Sequence, residues 1–324
     1  MSNEELTEHL DNPKVLKKKV KKLAKLIRNS NYPVIHTGAG VSTSAGIPDY
    51  RGPNGVWTCR DQGRNVPYVK KPWNLLEPTY CHMTISKLID LGLVKHLISQ
   101  NTDGLHVHSG VSLDKISELH GNTNKEHCKD CETEYFRPFS VYDTWTPPND
   151  HRSGRKCENC GGLLYDTIIN FGENLSKKEI DSGYKHSKKS DLSIVLGTSL
   201  KVTPAADLPM IPVKKKTGKM VIVNLQKTPL DDYASIRIFA KTDDVCKLLM
   251  KELEIPVLSF KETLELRAEE RRKKLGITKE EEEEQNKKER KKYIEERTKL
   301  VENHKKGGFF NNFFDGVEQD DDSD

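Results

Sequence analysis

PVIHTGAGVSTSAG, residues 33–46, is a short apolar run that stops abruptly in glycine, alanine and hydroxyl residues. Its β-branched content and lack of polar alternation suit a strand covered on both faces, as at the centre of a parallel sheet. Five further stretches read the same way: LVKHLISQN at 93–101, DTIINFG at 166–172, DLSIVLGTS at 191–199, KMVIVNLQ at 219–226 and IRIF at 236–239. Helical patterns fall around Thr79–Leu91 and Asp243–Leu253. Strands and helices in alternation predict an α/β fold with a doubly wound parallel sheet, whose ligands lie beyond the carboxyl ends of the strands. The small polar residues that close each run are therefore the first candidates for a site.

The remaining segments behave differently. Within residues 1–32, Leu16, Val20, Leu23 and Ile27 recur at helical spacing opposite a face that is almost all lysine, which predicts an amphipathic helix. The run Lys17–Lys22 reads as a solvated face, with a nuclear-import patch as the sharper alternative. Residues 257–324 are dominated by Glu, Lys and Arg and end in GGFFNNFFDGVEQDDDSD, so a solvated helix or disorder with a tail is expected there.

Of 324 residues only 34% are apolar, and no run approaches the roughly 20 apolar residues of a membrane span. The opening MSNEELTEHLDNP is acidic and polar where a signal peptide is basic and then apolar, so neither secretion nor a membrane is expected. Residues 261–324 carry 16 basic and 19 acidic side chains, whereas residues 1–260 carry 37 and 30. The body is thus the basic part, which favours a polyanionic neighbour such as nucleic acid or chromatin. Oligomeric state is not legible.

Seven cysteines, an odd number, argue for reduced thiols. Cys128, Cys131, Cys157 and Cys160 form two C-x-x-C knuckles separated by 25 residues. Such pairs let four thiolates converge on one structural Zn²⁺ with no open position for catalysis, and residues 128–160 read as a small inserted module. A redox C-x-x-C is the rival, but neither pair opens a helix after a strand. After the first strand, Gly38 and Gly40 allow close backbone approach, and Ser42 and Thr43 suit the cap of a following helix whose N-terminus would take phosphate. The spacing is G-x-G-x-x-T, however, and a plain turn remains the alternative. His120, in the polar turn SELHGN, titrates near neutrality and suits a general base if a ligand hydroxyl comes within reach; His106 and His108 are the next candidates.

The ordered set GAGVSTSAGIPDYRGPNGVWT, SQNTDGLH, ELHGN, two C-x-x-C pairs, NFGE, LGTSL and IVNLQ resembles the sirtuin family of NAD-dependent protein deacylases. The resemblance covers Lys14–Pro256, 243 of 324 residues, and IPDYR, GPNGVW and the NLQ ending are most similar to class IV, the chromatin-associated nuclear branch. It implies a Rossmann-like NAD-binding catalytic domain in 33–127 and 161–256, interrupted by the zinc module. It implies that Gly38, Ala39, Gly40, Ser42 and Thr43 hold the pyrophosphate, and that Tyr50, Arg51 and Trp57 form a loop over the nicotinamide ribose. Gln100 and Asn101 are implied at that ribose and Asp103 at the carboxamide. Gly197, Ser199, Asn224, Gln226 and Val245 are implied at the adenosine ribose. Tyr50 replaces a common Phe, Thr102 an aliphatic residue and Gln226 an acidic one.

By the same resemblance, the acyl oxygen of an acylated lysine displaces nicotinamide at C1′ to give an alkylimidate. His120 serves as base toward a ribose hydroxyl, Asn101 assists, and O-acyl-ADP-ribose leaves. The implied partners are acyl-lysine proteins, histones among them, bound as an added strand beside Phe171-Gly172-Glu173 and the segment after Leu200. The implied location is the nucleus, with the cytoplasm as alternative. Mono-ADP-ribosyl transfer by the same site and a non-catalytic chromatin scaffold are rival readings. A dehydrogenase is disfavoured, since there is no G-x-G-x-x-G and no acidic residue to read the adenosine ribose.

Overall fold

A computed structural model describes residues 6–69, 75–141, 150–215, 218–285, 287, 288 and 291. Its strands are β1 (Pro33–Thr37), β2 (His96–Ser99), β3 (Ile116–Glu118), β4 (Lys125–Cys128), β5 (Glu134–Phe136), β6 (Arg152–Lys156), β7 (Leu163–Asp166), β8 (Leu192–Leu196), β9 (Lys219–Val223) and β10 (Ile236–Ile238). Its helices are α1 (Pro13–Asn29), α2 (Val56–Asp61), α3 (Tyr80–Asp90), α4 (Leu105–His108), α5 (Lys177–Lys189), α6 (Met210–Lys214), α7 (Thr242–Leu253) and α8 (Phe260–Leu275).

Six strands form one sheet in the order β10-β9-β8-β1-β2-β3, and every pairing is parallel. This is the Rossmann order, in which the chain winds outward from β1 on one side and returns beside β1 to wind the other way. β1 and β8 are buried at every position, as their unalternating apolar sequences require. The switch of direction falls between them, so a crevice opens beyond their carboxyl ends.

Strand β3 is not apparent in the sequence, because it is three residues long and Ile116 is its only apolar side chain. DTIINFG corrects the reading in the other direction. Only Asp166 of this stretch is in a strand, β7, and that strand belongs to a second sheet. Ile168 and Ile169 face a cleft instead of the core, which accounts for an apolar stretch that is not a central strand.

Asn12 caps α1 by accepting from the amide of Val15 at 2.9 Å, and Pro13 occupies the first turn. Val20, Leu23 and Ile27 of α1 join Ile85 and Leu88 of α3 and Leu249 and Met250 of α7 in the main core. Each such side chain contributes about 1.5–3 kcal/mol by leaving water. Lys17, Lys18, Lys21, Lys22 and Lys25 stay exposed.

The second sheet is antiparallel, in the order β5-β4-β7-β6, and carries the cysteine pairs. It runs from Lys125 to Asp166, wider than 128–160 and more strand-rich than expected. Its strands are hard to see in sequence because they are short and polar. Glu126 is fully buried beside a small apolar cluster around Leu164: Arg137 Nε donates to it at 2.7 Å, Arg155 Nε at 2.8 Å and Ser153 Oγ at 2.6 Å. A carboxylate tolerates such burial only when charge partners and hydrogen bonds surround it.

The chain divides into two compact units, Met1–Glu262 and Thr263–Asp324. Helix α8 has no buried residue, as its lack of apolar periodicity predicts. The terminal GGFFNNFFDGVEQDDDSD lies outside the described residues. Among the described residues no helix is long and apolar enough to cross a membrane.

Candidate active site

The loops that leave β1 and β8 pack directly on each other. Gly38 N donates to Leu196 O at 3.2 Å and Gly40 N to Gly197 O at 2.8 Å. A Cβ on Gly38 would sit 2.6 Å from Thr198 Cβ, and one on Gly40 would sit 2.7 Å from Gly197 Cα. These glycines therefore admit the neighbouring backbone, a reason the sequence alone does not supply. No α-helix follows them: two 3₁₀ turns, Ala39–Val41 and Thr43–Ala45, lie there without side-chain caps. The expected helix N-terminus for phosphate is thus replaced by turn backbone.

Beyond these loops lies a cleft of about 440 Å³, within the range of small-molecule sites. Gly38, Ala39 and Gly40 line one part of it, and Tyr50, Arg51 and Trp57 another. Gln100, Asn101 and His120 stand on the wall below β2, while Gly197, Ser199, Asn224 and Gln226 close the far end. Among apolar walls this lining holds amides, backbone groups and a histidine, a donor set matched to ribose hydroxyls and a pyrophosphate.

Four of the residues expected at the cofactor are not among the lining of this cleft. Ser42 is fully buried behind the wall, and Thr43 turns its hydroxyl to Gly40 O at 3.4 Å. Asp103 is buried and accepts from Ser42 Oγ at 2.6 Å and from the amide of Leu105 at 3.0 Å. Val245 packs into the main core beside Val41, because an apolar side chain at this point of α7 gains more by leaving water than by meeting a ribose. Ser42 and Asp103 nonetheless act on the wall: Asn101 Nδ2 donates to Ser42 Oγ at 3.2 Å, so Asp103, Ser42 and Asn101 form a line of hydrogen bonds that orients Asn101.

His120 is held from behind, its Nδ1 lying 3.0 Å from Gln100 O. A carbonyl only accepts, so Nδ1 carries the proton and Nε2 is left with its lone pair. Burial pushes the His120 pKa below 6.5 against a small opposing effect of that hydrogen bond. The ring is therefore a neutral base near pH 7. Neither His106 nor His108 lines the cleft; His106 is buried with Nε2 2.9 Å from Thr37 Oγ1.

Aromatic rings enclose one side of the cleft. Trp57 stacks near Tyr50 with ring centres 6.1 Å apart and meets Phe171 edge-on at 5.6 Å. At the other end Gln226 Nε2 donates to Arg51 O at 3.0 Å, tying the NLQ segment to the aromatic loop. Several residues here escape sequence reasoning. Thr198 Oγ1 accepts from Gln100 Nε2 at 3.1 Å, and Thr242 Oγ1 donates to Gly40 O at 3.2 Å, bringing α7 to the glycine turn. Ile168 and Ile169 form the wall that DTIINFG disguised, its only signal being the polar N-F-G ending.

In the antiparallel sheet the four knuckle sulfurs lie within 4.8 Å of one another. Cys128 and Cys160 are 3.5 Å apart at sulfur, as are Cys131 and Cys157. Tetrahedral Zn–S bonds of about 2.3 Å place sulfurs roughly 3.8 Å apart, so the set fits a closed structural zinc site. Tyr135 supports one knuckle, its hydroxyl accepting from the amide of Glu158 at 3.0 Å and lying 3.2 Å from Cys157 Sγ.

The pattern of the Sir2 family matches residues 68–204. NAD-dependent protein deacetylase SRT1 of Arabidopsis thaliana is 43% identical over 254 residues, 78% of this chain and 53% of that protein. NAD-dependent protein deacetylase sirtuin-7 of Homo sapiens is 44% identical over 258 residues, 77% of this chain and 64% of that protein. NAD-dependent protein deacetylase Sirt6 of Drosophila melanogaster is 41% identical over 264 residues, 78% of this chain and 81% of that protein. The chain spans about half the length of SRT1. A solved structure described as "Sir2-p53 peptide-NAD+" superposes with a TM-score of 0.57 at 33% identity, covering 73% of this chain and 99% of the other. Motif order, Rossmann topology with a four-cysteine module, and these likenesses agree, and the chain belongs to the Sir2 family, the sirtuins, with class IV character.

Proposed function

We propose that this protein is an NAD-dependent protein-lysine deacylase that releases nicotinamide and O-acyl-ADP-ribose, with zinc bound by Cys128, Cys131, Cys157 and Cys160 for structure only. The observation that carries the reading is His120: a neutral ring, fixed through Nδ1 on Gln100 O, on the wall of a cleft at the β1–β8 switch point. Its support from likeness is that relatives are named protein deacetylases and that the matched solved structures hold NAD+ or an acylated peptide.

NAD+ supplies an electrophilic ribose carbon once its bond to nicotinamide breaks. The chain supplies the rest. Nε2 of His120 takes the proton from a ribose hydroxyl, and the carbonyl behind Nδ1 stabilises the charge that the ring acquires. Asn101, oriented by Ser42 and Asp103, presents its amide to the same ribose. Gly38, Ala39 and Gly40 offer backbone to the pyrophosphate, and Asn224 and Gln226 stand at the adenosine end. Tyr50, Trp57 and Phe171 shield the reacting centre from water, which would otherwise divert it to hydrolysis. The acylated peptide lies along Phe171-Gly172-Glu173. Histones or other nuclear proteins are the substrates we favour, because the body is basic and α1 displays a row of exposed lysines suited to a polyanionic setting.

Nicotinamide release measured with and without an acetyl-lysine peptide tests the reading. Release that depends on the peptide and yields stoichiometric O-acetyl-ADP-ribose is expected. Peptide-independent release, or label from NAD+ left on protein in place of that product, would overturn it.

A further inference from the structure

The segment 166–173 stands between two cavities. Ile168, Ile169 and Glu173 line both the cleft and a second cavity of about 410 Å³ behind it. A wall bounded by cavities on both faces keeps its shape only if something holds it.

Thr167 anchors its start, its Oγ1 accepting from the amide of Asn122 at 3.0 Å, and a second side chain, His151, joins its two ends. His151 Nδ1 is 3.0 Å from Asp166 Oδ1, and His151 Nε2 is 3.0 Å from Glu173 Oε1. These carboxylates close the two ends of the segment. Asp166 Oδ1 also accepts from the amide of Ile168 at 2.8 Å, and Glu173 Oε2 accepts from the amide of Asn170 at 2.7 Å. Between them the amide of Ile169 donates to His120 O at 3.1 Å, and Phe171 rests against Trp57. His151 thus connects, through one loop, to the proposed base and to the aromatic enclosure. Its backbone is left-handed, with φ of 64°, which a non-glycine residue keeps only where its surroundings over-determine it.

Both partners are carboxylates, and a neutral imidazole has one N–H. Only the imidazolium donates to both. We propose that His151 is a positioning residue: as an imidazolium strapped between Asp166 and Glu173, it fixes the 166–173 loop as the wall on which the acylated peptide is seated. The inference rests on the deacylase reading for its substrate but not for the strap itself.

Of the groups around His151, Asp166 and Glu173 favour the charged ring. The second cavity is also faced by Glu118 of β3, Lys125 and His127 of β4, Lys129, Glu134 of β5 and Glu179 of α5. Lys125 is engaged by Glu134 and Glu179, each at 3.4 Å. On its own strand side, Arg152 pairs with Asp150. Burial opposes protonation of His151, but the hydrogen bonds to Asp166 and Glu173 outweigh it and raise its pKa above 6.5. The strap is therefore complete below pH 6.5 and is lost as pH rises through the raised value.

The test compares the full chain with His151→Asn, which tolerates left-handed backbone but cannot span both carboxylates, and with His151→Arg, which stays charged. Steady-state deacetylation of an acetyl-lysine peptide at saturating NAD+ is followed from pH 6 to 9, together with hydrogen exchange of segment 166–173. For the unaltered chain the peptide KM should rise roughly tenfold toward pH 9, the scale of one lost charge-assisted hydrogen bond, while kcat stays level above pH 7. His151→Asn should show the high KM and fast exchange at every pH, and His151→Arg the low KM and slow exchange at every pH. Wild-type KM, pH profile and loop exchange in His151→Asn would overturn the proposal. Should His151→Asn fail to fold, a pH-dependent KM in His151→Arg would overturn it equally. If the unaltered chain deacylates no peptide, the functional reading falls, and unchanged exchange in the variants then decides against the strap.

Discussion

Gly40 and Gly197 meet main chain to main chain: the amide of Gly40 donates to Gly197 O at 2.8 Å, and a Cβ on Gly197 would lie 2.6 Å from the carbonyl carbon of Gly40. This contact locks together the two loops of the topological switch point. The floor of the cleft thus depends on the absence of two side chains 157 positions apart in the chain.

Gly40→Ala should part these loops. Overpacking of this kind costs about 1–3 kcal/mol, and Gly197→Ala adds backbone strain at φ of 60°. A Tm several degrees lower and weaker NAD+ binding by calorimetry are expected for both. Gly46→Asn, where a Cβ meets nothing within 4 Å and Asn tolerates the left-handed backbone, should change neither.

His120→Ala should lower turnover of an acyl-lysine peptide by roughly 10² to 10⁴ while still binding NAD+. The base works only when neutral, and burial lowers its pKa, so in the unaltered chain the acid limb of kcat/KM should lie below about pH 6.5. Activity is then retained as pH falls to that value and lost beneath it. An acid limb centred above pH 7 would show that another group limits the chemistry.

The purified protein should carry about one zinc per chain, because metal binding to such a module is part of its folding energy. Cys128→Ser should reduce the zinc measured by elemental analysis and lower the Tm. Cys59, Cys81 and Cys246 are buried outside the knuckles, so their replacement by Ala should leave zinc content unchanged. Full zinc content in Cys128→Ser would refute the ligand set.

Gln226→Glu should weaken NAD+ binding while leaving peptide binding intact. The Gln226 amide donates to Arg51 O, and a carboxylate has no proton to give, so two oxygens would face each other in a mostly buried place. An unsatisfied group of this kind costs about 1–3 kcal/mol, hence a rise in KM for NAD+ of about tenfold or more. An unchanged KM would show that the tie between Gln226 and the aromatic loop carries no binding energy.

The sequence by itself determined what local pattern can encode. The unalternating runs of β1, β8 and β9 marked central strands because burial on both faces demands apolar residues throughout. The helical spacing of Val20, Leu23 and Ile27 marked α1, and four cysteines in two close pairs marked a metal site, since thiolate pairs at that spacing have few other uses. Ordered short motifs pointed to the family. What only the tertiary structure decided depends on which distant segments meet. Ile168 and Ile169 have the composition of a core strand yet line a cleft, because apolarity does not say which apolar surface a residue will join. Asp103 and Ser42 belong to two separate motifs, and only the structure joins them in a line of hydrogen bonds to Asn101. Glu126 and His151, polar residues in a stretch with no periodicity, acquire their roles only when Arg137 and Arg155, or Asp166 and Glu173, fold against them. A buried charge is specified by its partners, and those partners are fixed by topology, not by neighbours in sequence.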